Sequence, residues 1–193
     1  FRALMEWGLR TGLKTVGLLH ADSDVGRAHL ENVKIAAAEF GMNVTLPLPF
    51  KGDVGDAQLD AMAGQIAAAP PDMLFNHGSA GVYAKLIAKA RKTRIKTTFM
   101  AVNSGSTQLA ADLGPLAHGM VFAQVVPSPW ERKHAISREF QEAMGKSRPG
   151  VALSYGGLEG YLTAKALVMA LQATGKTLTR ANFVSTLERS NFD

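Results

Sequence analysis

The sequence predicts an α/β fold, an open parallel sheet flanked by helices, followed by helices that belong to a second lobe. Three observations carry this. Short apolar runs alternate with helix-length amphipathic segments through residues 1–126. Three of these runs end in a polar loop of small residues that opens the next helix. Beyond Val126 the strand pattern stops and only helical segments follow.

Leu4, Trp7 and Leu9 before Gly12 predict an opening helix that stops at the glycine. A first strand over Thr15–His20 leads through Ala21-Asp-Ser-Asp-Val-Gly26 into a helix from about Val25 to Phe40. Its Leu30, Val33, Ala37 and Phe40 share one face, and Gly41 ends it. Met42–Leu48 reads as a second strand closed by Pro47 and Pro49. Asp53 to Ala69 is a helix with Leu59, Met62 and Ile66 at helical spacing, stopped by Pro70 and Pro71. The third strand is Asp72–Asn76 and the following helix Val82–Arg94. Thr97–Val102 is the fourth strand, Thr107–Leu113 a short helix, and Gly119–Val126 a fifth strand. Such alternation implies right-handed crossovers and a parallel sheet. Pro127-Ser-Pro129-Trp130 then punctuates the chain. Helices follow over Glu131–Met144, Ser154–Thr174 and Thr179–Arg189. Three helices with no strand of their own imply a lobe whose sheet lies in sequence outside this chain. The expected division is therefore 1–126, an α/β ligand-binding lobe, and 127–193, a hinge crossing with the helical part of the other lobe. The opening Phe1-Arg-Ala-Leu-Met-Glu-Trp7 reads as the middle of a helix, so the chain is expected to be a piece of a larger protein.

A hydrophobic content of 47% and a charged content of 19% over 193 residues are those of a globular chain with a proper core. The absence of cysteine excludes disulfides, thiolate metal sites and cysteine nucleophiles. The formal net charge of +5 is spread along the chain. One basic cluster, Lys85 to Lys96, falls at the end of a helix, where the dipole favours cations, and lacks aromatic residues for stacking bases. No nucleic-acid partner is expected.

No motif supports catalysis or a cofactor. Gly175-Lys-Thr177 lacks the strand and upstream glycine of a phosphate-binding loop, and Gly156-Gly-Leu-Glu-Gly160 lacks dinucleotide spacing. His77-Gly-Ser79 is not a nucleophile elbow. The five histidines have no ligand spacing, which argues against a metal. His20 and His77 do fall at strand ends. What remains is the rim. Ligands of open parallel sheets bind outside the carboxyl ends of the strands, and small residues let backbone N–H groups and helix N-termini approach an anion. Ser23, Ser79, Asn103 and Ser104 add neutral hydrogen-bonding groups. The same residues are also good turn and cap formers.

The segment His20-Ala-Asp-Ser-Asp-Val-Gly26 after an apolar strand resembles the strand, D-x-x-Y-G, helix segment of type I periplasmic binding proteins. Within that family it resembles the leucine/isoleucine/valine-binding group that feeds ABC importers. Pro71-Asp-Met-Leu-Phe75, His77-Gly-Ser79, Lys96-Thr-Thr-Phe-Met100, Gly119-Met-Val121 and Tyr155-Gly-Gly-Leu-Glu-Gly-Tyr161 agree in order, over nearly the whole chain. The resemblance implies two lobes that close on a solute, an exported binding protein in the periplasm or outside the cell at the membrane, a membrane permease as partner, and no cofactor. It places the ligand side at Ser23, Asp24, Val25, Gly78, Ser79, Ala80, Asn103 and Ser104. Val25 stands where the family has an aromatic lid. Asn103 stands where amino-acid binders place the acid that pairs the solute's ammonium. A neutral amide cannot neutralise a buried ammonium. Within the small polar or anionic solutes expected, amino-acid-like or carboxylic and aromatic acids, a carboxylic acid, an aromatic acid or another amine-free solute is therefore expected ahead of ordinary α-amino acids. A ligand-sensing domain of a regulator with the same fold is the alternative. The helices of 127–193, without their sheet, are expected to expose apolar surface and favour a homodimer of the chain.

Overall fold

A computed structural model describes residues 1–102 and 106–190 of the chain. The chain divides into two compact units, Phe1–Gln124 and Val125–Asp193. In the first unit the order is α1 (Arg2–Arg10), β1 (Thr15–Ala21), α2 (Asp24–Glu39), β2 (Asn43–Phe50) and α3 (Asp56–Ala68), then β3 (Met73–His77), α4 (Ala80–Ala90), β4 (Thr98–Val102), α5 (Ser106–Leu113) and β5 (Val121–Ala123). All strand pairs are parallel, in the spatial order β2-β1-β3-β4-β5. The strand order reverses between β1 and β3, which makes this junction the topological switch point of the sheet.

Alternation along the strands divides two cores. Val16 and Leu18 of β1, Met73 and Phe75 of β3, and Met100 of β4 pack with Leu4 and Met5 of α1 and Val33, Ala36 and Ala37 of α2. Leu19, Leu74, Phe99 and Ala101 point the other way, toward α3, α4 and α5. The central strands are thus apolar on both faces, as a sheet covered on both sides requires.

Several boundaries differ from the sequence expectation. β2 runs through Pro47 and Pro49 to Phe50 instead of closing at Leu48. It is an edge strand. Prolines two residues apart lack their N–H groups on one side, and here that side has no neighbour to serve. β5 is only three residues long, Val121–Ala123, and pairs with Met100–Val102 of β4. α4 ends at Ala90, and Arg91–Thr93 form a single 3₁₀ turn before Arg94, whose φ is 54°.

The second unit holds α6 (Ala135–Ser147), α7 (Tyr155–Thr174) and α8 (Arg180–Arg189). α6 starts later than Glu131 because side chains hold the preceding segment in a non-helical course. The Arg138 guanidinium donates to the Arg132 carbonyl at 2.7 Å, Gln141 to the Pro129 carbonyl at 2.9 Å, and the Ser137 hydroxyl to the Ser128 carbonyl at 2.9 Å. Phe140 is buried and packs at 5.6 Å against the Tyr161 ring. The Glu139 carboxylate accepts from Lys165 at 2.8 Å and from the Tyr161 hydroxyl at 2.7 Å, and Lys165 first, then Tyr161, holds its pKa below the usual carboxylate value. Only Leu158 and Ala170 of the apolar helix α7 are buried, while Leu167, Val168 and Met169 are about half exposed.

Candidate functional site

Two of the three small-residue loops leave neighbouring strands at the same edge. His20 pairs with His77 in the β1–β3 ladder, so Ala21-Asp-Ser-Asp-Val25 and Gly78-Ser-Ala80 start side by side. β4 ends beside β3 at Val102. Asn103 and Ser104, which follow in the sequence, lie outside the described residues.

Each loop delivers the N-terminus of a helix. Ser23 caps α2, its Oγ accepting from the Gly26 N–H at 3.1 Å, and Ser79 caps α4, its Oγ accepting from the Val82 N–H at 3.3 Å. Both hydroxyls keep their proton to donate. Ser23, Asp24, Val25, Gly78, Ser79 and Ala80 are all exposed. Glycine is needed at one point and sits close under a side chain at a second. A Cβ on Gly26 would overlap the Ala21 carbonyl, so α2 can sit this close to the end of β1 only without a side chain there. A Cβ on Gly78 would lie 2.7 Å from the Phe50 ring, which supports the second loop from below.

The carboxylates of the first loop are already paired. Arg27 donates to Asp22 at 2.8 Å and to Asp24 at 2.7 Å, and Lys51 lies 3.3 Å from Asp22. Beyond the last β3–β4 pair, Phe75 with Met100, a cleft of about 220 Å³ opens, lined by Asn76, His77, Ala80, Ala101, Ser106 and Leu109 among others. No carboxylate lines it among the described residues. Ser106 accepts a hydrogen bond from the Gln124 side chain.

Three residues of this end escaped the sequence reasoning. His29 of α2 stacks on His77 with ring centroids 3.2 Å apart. Burial first, then the neighbouring His29 and the more distant His20, lower the pKa of His77. Buried His20 turns its Nδ1 to the Ala21 carbonyl at 3.0 Å. The spacing of His29, Val33 and Ala36 on one helix face is the signal that points His29 inward. Phe50 lay hidden behind the prolines, and Tyr83 had no signal beyond its apolar face. Among the described residues no group of three or more histidine or acidic side chains is placed to hold a metal.

A five-stranded parallel sheet with this order, covered on both faces and edged by helix N-termini, is the lobe of a type I periplasmic binding protein. The chain belongs to that family, since residues 1–193 match the family model described as periplasmic binding protein. No curated protein matches the chain. Among solved structures it is similar to a possible leucine/isoleucine/valine-binding protein from Rhodopirellula baltica (25% identity, TM-score 0.83, 100% of this chain and 54% of that one). In fold it is also similar to an R. palustris ABC-transporter solute-binding protein in complex with benzoate (16% identity, TM-score 0.78, 99% and 52%). A branched-chain amino acid ABC transporter protein from Thermus thermophilus with bound valine shares the fold too (22% identity, TM-score 0.73, 99% and 51%). The chain thus spans about half the length of the solved structures it matches.

Proposed function

We propose that this chain is part of the solute-binding component of an ABC importer, exported to the periplasm, which holds a small amine-free carboxylic or aromatic acid between two lobes and presents it to a membrane permease. The family membership supports a binding protein, and relatives of the same fold carry benzoate or valine. Residues 1–126 would form one lobe, and 127–193 the crossing and helices of the other, whose sheet would cover the exposed face of α7. Ser23, Asp24, Val25, Gly78, Ser79, Ala80, Asn103 and Ser104 would face the solute.

The observation that carries the solute class is the charge of the rim. Two helix N-termini and two serine hydroxyls supply donors for an anion. The acids Asp22 and Asp24 are engaged by Arg27 and Lys51, so an ammonium would have to displace an existing partner. Asn103, where amino-acid binders carry an acid, adds no charge. Calorimetry on the full-length protein with benzoate, a short fatty acid, leucine and valine tests this. Binding of the acids alone supports the proposal; micromolar binding of leucine or valine overturns the solute class and keeps the importer.

A further inference from the structure

The side chain of Tyr83 reaches from α4 into the sheet and is fully buried. Its hydroxyl donates to the Leu74 carbonyl at 2.7 Å, with the Met100 carbonyl a second acceptor at 2.9 Å. It accepts from the Met100 N–H at 3.1 Å. Leu74 pairs with Phe99, so the Leu74 carbonyl and the Met100 amide are the groups that the one-residue offset of a parallel ladder would join directly. The phenol sits on that junction, at the last β3–β4 pair, Phe75 with Met100.

The pairing of β3 changes at this point. β3 stays paired with β1 as far as His77, yet its pairing with β4 stops at Phe75. Asn76 and His77 on one side and Ala101 and Val102 on the other continue without partners in each other, and the 220 Å³ cleft lies between them. Tyr83 also stands one turn after the rim, its N–H donating to the Ser79 carbonyl at 3.1 Å. A single helical turn therefore carries both the cap of the rim and the wedge beneath it.

We propose that Tyr83 is a positioning residue of the solute cleft, whose inserted hydroxyl parts β3 from β4 and so forms the recess that receives the acid. This rests on the solute-binding role above. The group stays a neutral donor and acceptor, because burial pushes its pKa far above the range in which it could ionise.

The test is made in the full-length protein with Tyr83→Phe and with p-aminophenylalanine at position 83, which keeps a donor at the same place. Crystal structures read the gap between the Leu74 carbonyl and the Met100 amide. The expected result is a gap that closes toward a direct hydrogen bond in Y83F and stays open in the amino variant. With benzoate as the probe, affinity falls about tenfold in Y83F, equivalent to about 1.4 kcal/mol, and is retained in the amino variant. A gap that stays open in Y83F, with water in place of the hydroxyl, overturns the proposal. So does an unchanged benzoate affinity when the gap has closed. Should Y83F not fold, the amino variant decides alone: a closed gap or lost benzoate binding there refutes the wedge. Failure of the wild-type protein to bind benzoate counts against the acid-binding role, and the gap measurement still decides the wedge.

Discussion

Thr15 and Asp72 hold each other at the amino ends of β1 and β3. The Asp72 carboxylate accepts from the backbone N–H groups of Lys14 at 2.8 Å and Thr15 at 2.9 Å, while the Thr15 hydroxyl accepts from the Asp72 N–H at 2.8 Å. This reciprocal clamp fixes the start of the two strands whose other ends carry the rim. It also holds the Asp72 pKa below its ordinary value, chiefly through the Lys14 amide.

Asp72→Ala should destabilise the fold by about 1–3 kcal/mol, since it strands two backbone donors. The folded pKa is depressed, so the contribution is complete above the ordinary value of 3.8 and is lost as pH falls through the lower folded value. Urea titrations at neutral and acid pH should show the variant losing less stability on acidification than the parent. Equal acid sensitivity would refute the assignment.

His77 gives a second pH window. Its folded pKa lies below the ordinary 6.5, so the unfolded chain binds the proton more readily. Stability from this group is complete above 6.5 and declines as pH drops through that value toward the folded pKa. His77→Phe keeps an aromatic ring against His29 and removes the titration. Its stability should vary less than the parent's between about pH 7.5 and about pH 5, followed by thermal melts.

Gly26→Ala should be severe. The added methyl has only backbone to push against, the Ala21 carbonyl, so α2 must lift from β1. A loss of about 3 kcal/mol or more is expected from overpacking of this kind, read as a lower denaturant midpoint with unchanged slope. A loss below about 1 kcal/mol would mean that the helix is free to shift.

Ser79→Ala removes the cap of α4 and should cost about 1 kcal/mol. Ser79→Asp keeps a cap and adds a charge. It should restore stability while weakening benzoate binding to the full-length protein, since the rim would then repel an anion. Unimpaired benzoate binding in Ser79→Asp would place the solute away from α4.

The parts of this chain legible beforehand are those written locally. The caps Ser23 and Ser79 and the alternation of strand and helix sit within a few residues of what they determine. The course of β2 was misjudged because Pro47 and Pro49 stop a central strand but not an edge strand, and edge position belongs to the whole sheet. The His29–His77 stack and the Tyr83 hydroxyl depend on strand order and on the helix faces laid over it. No window of sequence contains those.

The two prolines of β2 have one more effect. Its outer edge offers carbonyls without a regular row of N–H donors, and the opposite border is β5, with only three residues. Neither border is a template on which a foreign strand could readily grow the sheet. Growth of this five-stranded sheet is thus discouraged at both borders of the described residues.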